Sequence, residues 1–264
     1  MGNGGAERQL IELLSYNKHH ILCTLRSTRN FKRYLKNKNI RYYELNLKRP
    51  IFFFTKIYSI LNIIKKEKAE TIQCWMYDAC LISIFISKLT SVKAAIIWSI
   101  RCSNMMPSYY SLKLKLVLVI CKKFSHIPNQ IIYNSKSGYN YHKNIGYQYK
   151  NSRVIINGVD KKKFCYSSQS RKYLREKFNI KSDDFVFICV ARVDPMKGHE
   201  ILLNGFQKAK KKNKKLKLIL LGKDTNLLKL PNGVIALDTK LDINKYYSMA
   251  DAIILTSIFG EGFS

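Results

Sequence analysis

The feature that most constrains the fold is a regular alternation of short apolar runs with longer amphipathic stretches. The run at residues 185–191 is apolar at nearly every position, which is typical of a strand covered by helices on both faces. Between the runs, apolar residues recur at helical spacing, as at Ile57, Ile60, Leu61 and Ile64. Repeated β-α-β units of this kind predict an α/β protein with a parallel, doubly wound sheet. The predicted strands are residues 21–25, 42–47, 71–74, 94–100, 130–133, 154–156, 185–191, 216–221, 234–237 and 252–255.

The alternation stops once and then begins again. Residues 160–184 are polar and rich in lysine, and they contain one helical pattern at 169–178 but no strand pattern. The length of 264 residues suits one or two domains, and the interruption favours two. We therefore predict two Rossmann-like domains, over residues 1–159 and 160–264.

The patterns at both ends of the sequence are short. Gly4 and Gly5 directly precede a helical pattern, where the turn after a first strand belongs, and that strand is commonly central in a doubly wound sheet. At the other end, a loop closing on Ser264 follows the last predicted strand. We therefore expect both domains to be truncated and the sequence to be a piece of a larger protein.

The charge of the chain is strongly positive, with 47 Lys and Arg against 17 Asp and Glu and a net charge of +30. Such a balance attracts polyanions, including nucleic acid, anionic lipid and phosphorylated substrates. A general drift of composition toward Lys, Asn, Ile and Tyr would produce the same number. The charge alone therefore names no partner.

Other compositional features exclude several classes of protein. Disordered and collagen-like chains are excluded, because the chain is 47% hydrophobic and has only 12 Gly and 5 Pro. The seven cysteines include no C-x-x-C pair, which argues against a zinc ribbon or a disulfide framework and favours reduced thiols in the cytoplasm. No apolar run approaches the ~20 residues that a bilayer-spanning helix needs, and no signal peptide is recognisable.

A candidate phosphate site follows the predicted strand at residues 185–191. Residues 190–199 form a strand-to-helix turn, and such a turn offers free N–H groups and the positive end of a helix dipole to an anion. Arg192 and Lys197 flank the turn and could bind a diphosphate. Taken alone, the two cations could equally be solvated side chains of a loop.

A second candidate site follows the last predicted strand. Glu261 lies between Gly260 and Gly262, beyond the carboxyl end of a parallel strand, where ligand contacts are common. A carboxylate there could accept hydrogen bonds from sugar hydroxyls, and glycines permit a close approach of backbone amides. An ordinary polar turn is the alternative.

Several short motifs occur in one order along the chain. They are Gly4-Gly5-Ala6-Glu7-Arg8, residues 154–160, Ala191-Arg192 with Lys197-Gly198-His199, Ala250-Asp251-Ala252, and residues 259–264. Each motif alone is weak, but the ordered set is specific and resembles retaining glycosyltransferases of family 4, which have two Rossmann-like domains in the GT-B arrangement. Trp98-Ser99-Ile100-Arg101, and Asn134-Ser135 with a later Gly146-Tyr147, are also similar to that family's N-terminal domain.

The resemblance implies transfer of a sugar from a nucleotide diphosphate sugar to an acceptor hydroxyl, with retention of the anomeric configuration. It implies that Arg192 and Lys197 neutralise the departing diphosphate, so that no metal or other cofactor is required. It also implies that Glu261 is catalytic and contacts the donor sugar. The further donor-binding residues implied are Gly4, Gly5, Gly262, Phe263 and Ser264.

Two departures from the family pattern qualify the resemblance. The second carboxylate of the family's Glu motif would fall at position 269, which is beyond this sequence. Where the family often has a histidine, this chain has Arg101, a candidate contact for an acceptor or a phosphate. No histidine has a catalytic context; His199 is interpreted as structural, and Asn157, Gly158 and Asp160 as a structural joint.

The leading hypothesis is a cytoplasmic enzyme of envelope polysaccharide or lipopolysaccharide assembly. Its acceptor would be a glycan or a lipid-linked glycan, and its basic surface would contact the anionic inner leaflet of the plasma membrane. An inactive remnant with the same ancestry is the first alternative. A nucleic-acid-binding protein is the second, although no nucleic-acid-binding motif is present and we expect no nucleic-acid partner.

Overall fold

The computed structural model describes residues 4–16, 19–28, 31–47, 53–89, 93–148, 150–240 and 242–262. It divides into two compact units. The first comprises Met1–Asn157 and Gly260–Ser264, and the second comprises Gly158–Phe259. Gly260–Ser264 are thus grouped with the first unit, whereas the sequence analysis placed them in the second domain.

The first unit alternates strands and helices. Its main sheet is parallel, with the strand order β3-β4-β5-β6, and β1 and β2 form a separate parallel pair. In chain order the elements are α1 (Gly5–Tyr16), β1 (Ile21–Thr24), α2 (Lys32–Asn37), β2 (Arg41–Glu44), α3 (Phe53–Lys66), β3 (Thr71–Trp75), α4 (Met76–Leu89), β4 (Ala95–Ile100), α5 (Leu112–Lys123), β5 (Gln130–Tyr133), α6 (Lys136–Asn144) and β6 (Ser152–Val154).

The core of the first unit is built on β4 and β5. Trp98 and Ile100 of β4 are fully buried, and Tyr133 of β5 packs in the same cluster. The Trp98 indole N–H is also satisfied, because it donates to the Ser83 hydroxyl of α4 at 2.8 Å. The buried Trp98 therefore also links β4 of the main sheet to α4.

A buried histidine occupies the same core. His142 of α6 is fully buried among tyrosine rings, with the ring of Tyr147 at 4.9 Å. Its Nδ1 donates to the Gly138 carbonyl at 2.7 Å, so its Nε2 accepts from the Tyr77 hydroxyl at 2.6 Å. Burial lowers the pKa of His142 to about 4, so the imidazole is neutral in the folded protein at pH 7.

The second unit holds one parallel sheet with the strand order β10-β7-β8-β9. Its central strands β7 and β8 bury Val186, Ile188 and the four residues Leu218–Leu221, as expected for strands covered on both faces. The elements are α7 (Ser168–Lys177), β7 (Phe185–Val190), α8 (His199–Lys212), β8 (Leu216–Leu221), β9 (Val234–Leu237), α9 (Ile243–Met249) and β10 (Ala252–Ile253). Short 3-10 turns cover Pro195–Lys197 and Thr225–Leu227.

The predicted α/β class with parallel sheets and alternating helices is confirmed. Three strands end two or more residues before the predicted end. The strands predicted at 42–47, 154–156 and 252–255 end at Glu44, Val154 and Ile253, and Ile155 and Ile156 are exposed. All three early endings occur at sheet edges, because β2, β6 and β10 have one neighbouring strand each among the described residues. No described helix has the length and apolar character needed to cross a bilayer.

Candidate functional site

The turn after β7 places two cations at the carboxyl edge of the second unit's sheet, the edge at which parallel sheets bind ligands. Arg192 lies directly beyond the strand, and its Nε and Nη2 donate to one oxygen of Asp194 at 3.2 and 2.8 Å. The other Asp194 oxygen accepts from the Met196 amide at 3.0 Å and caps the 3-10 turn. Asp194 therefore orients Arg192 and shapes the turn, while 47% of the Arg192 side chain remains exposed.

The backbone at Lys197 and Gly198 is fixed from the opposite side by the segment after β10. The Thr256 hydroxyl lies 3.1 Å from the carbonyl oxygens of both Lys197 and Gly198. Gly198 has a φ of 61°, and a Cβ there would collide with the Thr256 carbonyl. Only glycine fits this position without strain. Lys197 is thereby held one residue before α8, where the helix N-terminus attracts anions.

A further glycine at the same edge was not singled out by the sequence analysis. Gly222 follows β8, and a Cβ there would collide with the Ala191 backbone. The Val193 amide also donates to the Lys223 carbonyl at 2.9 Å, so the turns after β7 and β8 are joined. A glycine directly after the four apolar residues that end β8 was the available signal.

His199 begins α8 behind the two cations. The side chain is buried, and neither ring nitrogen has a hydrogen-bond partner among the described residues. Burial lowers the pKa of His199, which favours the neutral ring. This placement agrees with a structural histidine, and that interpretation stays a prediction.

In the first unit, Arg101 lies directly beyond β4 at the carboxyl edge of the main sheet. Its guanidinium lies 4.8 Å from the centre of the Trp75 ring, and its Nη2 donates to the Asn157 side-chain oxygen. Its Nε is buried and has no partner in the part of the chain that the structure describes. Burial lowers the pKa of Arg101, although an arginine remains charged at neutral pH.

Residues near Arg101 contact Gly260 and Gly262, which flank Glu261, at the carboxyl edge of the main sheet. The Asn134 side chain donates to the Arg101 carbonyl at 3.4 Å, and a Cβ at Gly262 would collide with that side chain. Gly260 donates its amide to the Asn104 side chain at 3.1 Å. The buried Asn134 Oδ1 has no partner within the described ranges. Arg101 and the segment around Glu261 are therefore neighbours within the first unit.

The remaining predicted residues are placed as follows. Gly4 accepts a hydrogen bond from the Arg8 amide at 3.2 Å, and Gly5 is the first residue of α1, with open space where a Cβ would lie. Glu261 and Gly262 are partly exposed. Phe263 and Ser264 lie outside the described residues. Within the described ranges, no three His, Cys, Asp or Glu side chains are grouped so that they could hold a metal ion.

Trp75 is the clearest residue that the sequence analysis missed. It ends β3, and Met76 begins α4 directly after it with a φ of 65°, which is uncommon for a residue other than glycine. The strand-to-helix junction without a loop sets the Trp75 ring beside Arg101. An aromatic residue at a strand's carboxyl end was a weak signal, because most such residues belong to the core.

The C-terminal part of the sequence matches a protein family. The sequence model of the family described as "Glycosyl transferases group 1" matches residues 170–264. No curated protein sequence matches the chain.

Several solved structures share the fold over nearly the whole chain. Alr3699/HepE from Anabaena, in complex with UDP and glucose, is 18% identical with a TM-score of 0.83, covering 100% of this chain and 73% of its own. Sucrose-phosphate synthase from Thermosynechococcus elongatus is 16% identical with a TM-score of 0.77, covering 100% and 72%. WaaG, a glycosyltransferase involved in lipopolysaccharide biosynthesis, is 11% identical with a TM-score of 0.68, covering 98% and 73%.

At these low identities, the structural similarities establish the fold. The parallel sheets with alternating helices match those of GT-B glycosyltransferases, as the sequence analysis predicted. The sequence match is confined to residues 170–264 of the 264-residue chain. Over these residues the chain is similar to the glycosyl transferases group 1.

Proposed function

We propose that the protein transfers a sugar, of the hexose type, from a nucleotide diphosphate sugar to an acceptor hydroxyl with retention of the anomeric configuration. The observation that carries the proposal is the turn after β7, where Arg192 and Lys197 border the start of α8 and the backbone is fixed by Asp194 and Thr256. The complexes of Alr3699/HepE with UDP and with UDP-glucose support a donor of this class.

Arg192 and Lys197 act on the diphosphate as it leaves. Negative charge develops on the leaving group in the transition state, and fixed positive groups stabilise that charge. Asp194 holds the Arg192 guanidinium before a donor binds, so little reorganisation is needed. Two cations and a helix N-terminus neutralise the negative charge of a diphosphate, and the proposed reaction therefore requires no metal ion.

The glycine-rich segments at residues 4–5 and 260–264 supply further donor contacts. Glu261 accepts hydrogen bonds from the donor sugar, beside the backbone of Gly262 and of Phe263 and Ser264. Gly4 and Gly5, at the start of α1, contribute further donor contacts through their backbone. Arg101 is the contact for an acceptor hydroxyl or a phosphate, because its Nε has no partner among the described residues and lies with the Trp75 ring at one sheet edge.

The reaction belongs to the assembly of envelope polysaccharide or lipopolysaccharide on the cytoplasmic side of the plasma membrane. The acceptor is a glycan or a lipid-linked glycan. The net charge of +30 supports peripheral contact with an anionic leaflet, and the fold shared with WaaG supports this biological role. Nucleic acid is not a partner in this proposal.

The experiment that tests the proposal is donor binding, measured by calorimetry with a panel of uridine, guanosine and adenosine diphosphate sugars. Arg192→Met and Lys197→Met should each weaken binding about tenfold to a hundredfold, because each removes a charge-assisted hydrogen bond of roughly 1.5–3 kcal/mol. Lys208→Met and Lys212→Met are matched controls, because they remove charges from the other end of α8. A chelator should leave binding unchanged.

Transfer is then measured with the donor that binds, and the anomer of the product is read by NMR. A retained anomer supports the proposal, and an inverted anomer contradicts it. Equal losses from the α8 control variants would also contradict it, because binding would then depend only on overall charge. Binding without transfer to any acceptor would favour the inactive remnant.

A further inference from the structure

The central part of the first unit lacks acidic residues. Residues 79–159 contain eleven Lys or Arg and no Asp or Glu, although the whole chain has 17 acidic residues. A general drift in composition raises the number of lysines but does not concentrate the acids elsewhere. No carboxylate of this segment can therefore offset its positive charge, and the segment attracts anionic surfaces over about a Debye length, roughly 8–10 Å.

Helix α5 lies within this segment and presents apolar side chains to solvent. Leu112, Leu116 and Val119 are 79%, 61% and 61% exposed. Their spacing of four and three residues places them on one helix face. Val117 and Cys121, on the opposite face, are buried in the core. The helix is therefore apolar on two sides, and one of these sides is not covered by the described residues.

Lysines border the exposed apolar stripe. Lys113, Lys122 and Lys123 are exposed on the same helix, whose twelve residues span about 18 Å. Lysine side chains can place their aliphatic stems along an apolar surface and keep the ammonium group at its polar border. An apolar stripe flanked by basic residues on a surface helix is typical of helices that lie in a membrane interface.

We propose that this α5 face, formed by Leu112, Leu116 and Val119 with Lys113, Lys122 and Lys123, docks on an anionic lipid bilayer. The bilayer satisfies both halves of the face, since acyl chains receive the apolar side chains and anionic headgroups receive the ammonium groups. A nucleic acid would pair with the lysines only and leave the apolar stripe in water. A second copy of the same face would bring lysines against lysines.

The inference rests on the proposed function for its biological setting, but vesicle binding is measured without donor or acceptor. The full chain is floated with vesicles of phosphatidylcholine alone or mixed with phosphatidylglycerol. We expect flotation only with the anionic vesicles. Adding salt should weaken it, because the charge contribution is screened.

Two sets of variants test the face itself. Leu112→Ser, Leu116→Ser and Val119→Ser are combined in one protein, and Lys113→Gln, Lys122→Gln and Lys123→Gln in another. Each set should lower partitioning into anionic vesicles by about tenfold or more. The matched controls carry equal numbers of changes at exposed positions of the second unit. They are Tyr173→Ser with Ile201→Ser and Leu227→Ser, and Lys208→Gln with Lys211→Gln and Lys212→Gln.

Val119→Trp gives a direct readout of insertion. Its fluorescence should shift to shorter wavelength when anionic vesicles are added, since the new indole leaves water. No binding by the wild-type protein, or equal losses from the controls, would overturn the proposal. Loss of duplex DNA binding or of self-association in the α5 variants, with unchanged vesicle binding, would also overturn it. Calorimetric donor binding should be unchanged in the α5 variants, so failure here is distinguishable from failure of the proposed function.

Discussion

Replacing Asp251 by alanine is expected to destabilise the second unit strongly. One oxygen of Asp251 accepts from Arg171 Nη2 at 2.6 Å, and the other accepts from the Val186 amide at 2.7 Å and from Arg175 Nη1 at 3.4 Å. Arg175 is buried, and it also donates to the Lys181 and Asp184 carbonyls at 2.7 and 2.6 Å. A single carboxylate thus joins α7, β7 and the residue before β10.

The magnitude follows from the two short bonds. A hydrogen bond to a charged group contributes roughly 1.5–3 kcal/mol, so the two together contribute about 3–6 kcal/mol. The Asp251 side chain is 22% exposed, which places the expected loss at the lower end, about 3 kcal/mol. Asp251→Asn keeps an acceptor for the Val186 amide and loses the charge, so about 1–2 kcal/mol is expected.

The matched control is Asp183→Ala. Asp183 pairs with Lys215 at 2.8 Å, but its side chain is 52% exposed, so water screens the pair and a much smaller loss of stability is expected than for Asp251→Ala. Both tryptophans, Trp75 and Trp98, lie in the first unit, so their fluorescence does not report on the second. The assay is therefore urea-dependent hydrogen exchange of peptides from β7, with tryptophan fluorescence as the control for the first unit.

The same carboxylate gives the assay a pH dependence. Burial alone would raise the pKa of Asp251, but the Val186 amide and the two guanidinium groups hold it below its ordinary value. The stabilisation is therefore complete above about pH 4, the ordinary pKa of an aspartate, and is lost as the pH falls through the lower folded value. If Asp251→Ala destabilised β7 no more than Asp183→Ala, or if the loss persisted at the lowest pH, the reasoning would be refuted.

Three further predictions concern the first unit and the β7 turn. The folded pKa of His142 is about 4, which lies below the unfolded value, so the unfolded chain binds the proton first as the pH falls. The free energy of unfolding of the first unit should therefore decrease by on the order of 3 kcal/mol as the pH is lowered from 6.5 to 4. Unfolding monitored by tryptophan fluorescence should show this decrease in the wild type and not in His142→Gln. Gly198→Ala should lower the free energy of opening of α8, measured by hydrogen exchange, by about 1–3 kcal/mol, because the alanine would need a positive φ and would collide with backbone. The control Gly205→Ala lies within α8 with open space around the new Cβ, and it should be neutral or stabilising. Arg101→Lys should raise the KM for the acceptor or the donor about tenfold and leave the Tm unchanged. Lysine keeps the charge but loses the planar stacking of the guanidinium on Trp75. An unchanged KM for both substrates would contradict the assigned contact.

The sequence predicted the strands well where burial on both faces leaves a continuous apolar run. The strands at 216–221 and 234–237 were predicted with the observed bounds, and β7 ends one residue earlier than its run. Edge strands were predicted less well. Their ends are set by where a neighbouring strand stops offering hydrogen bonds, and hydrophobicity does not carry that information. The Ile155 amide still donates to the carbonyl of Tyr133, the last residue of β5, and the equally apolar Ile156 beyond it is exposed.

The candidate site was predictable in parts. Arg192 and Lys197 could be selected because a strand, a turn and a helix follow one another locally. Trp75 could not, because its proximity to Arg101 depends on β3 and β4 being neighbours in register, with Trp75 paired to Ser99. Gly222 is a similar case, since its requirement for glycine comes from the backbone of a different strand. Contacts between strands that are distant in sequence are the information that one sequence lacks.

The turn after β7 shows why a structural interpretation and a functional one are not alternatives here. Asp194 caps the 3-10 turn and also orients Arg192, and Thr256 fixes the carbonyls of Lys197 and Gly198. Each contact stabilises the fold, and each also sets the position of a cation before any ligand binds. Asp194→Asn should therefore affect donor binding more than stability, because the amide still caps the turn while the pairing that directs Arg192 is weakened. Equal effects on stability and binding would instead show that the turn is only structural.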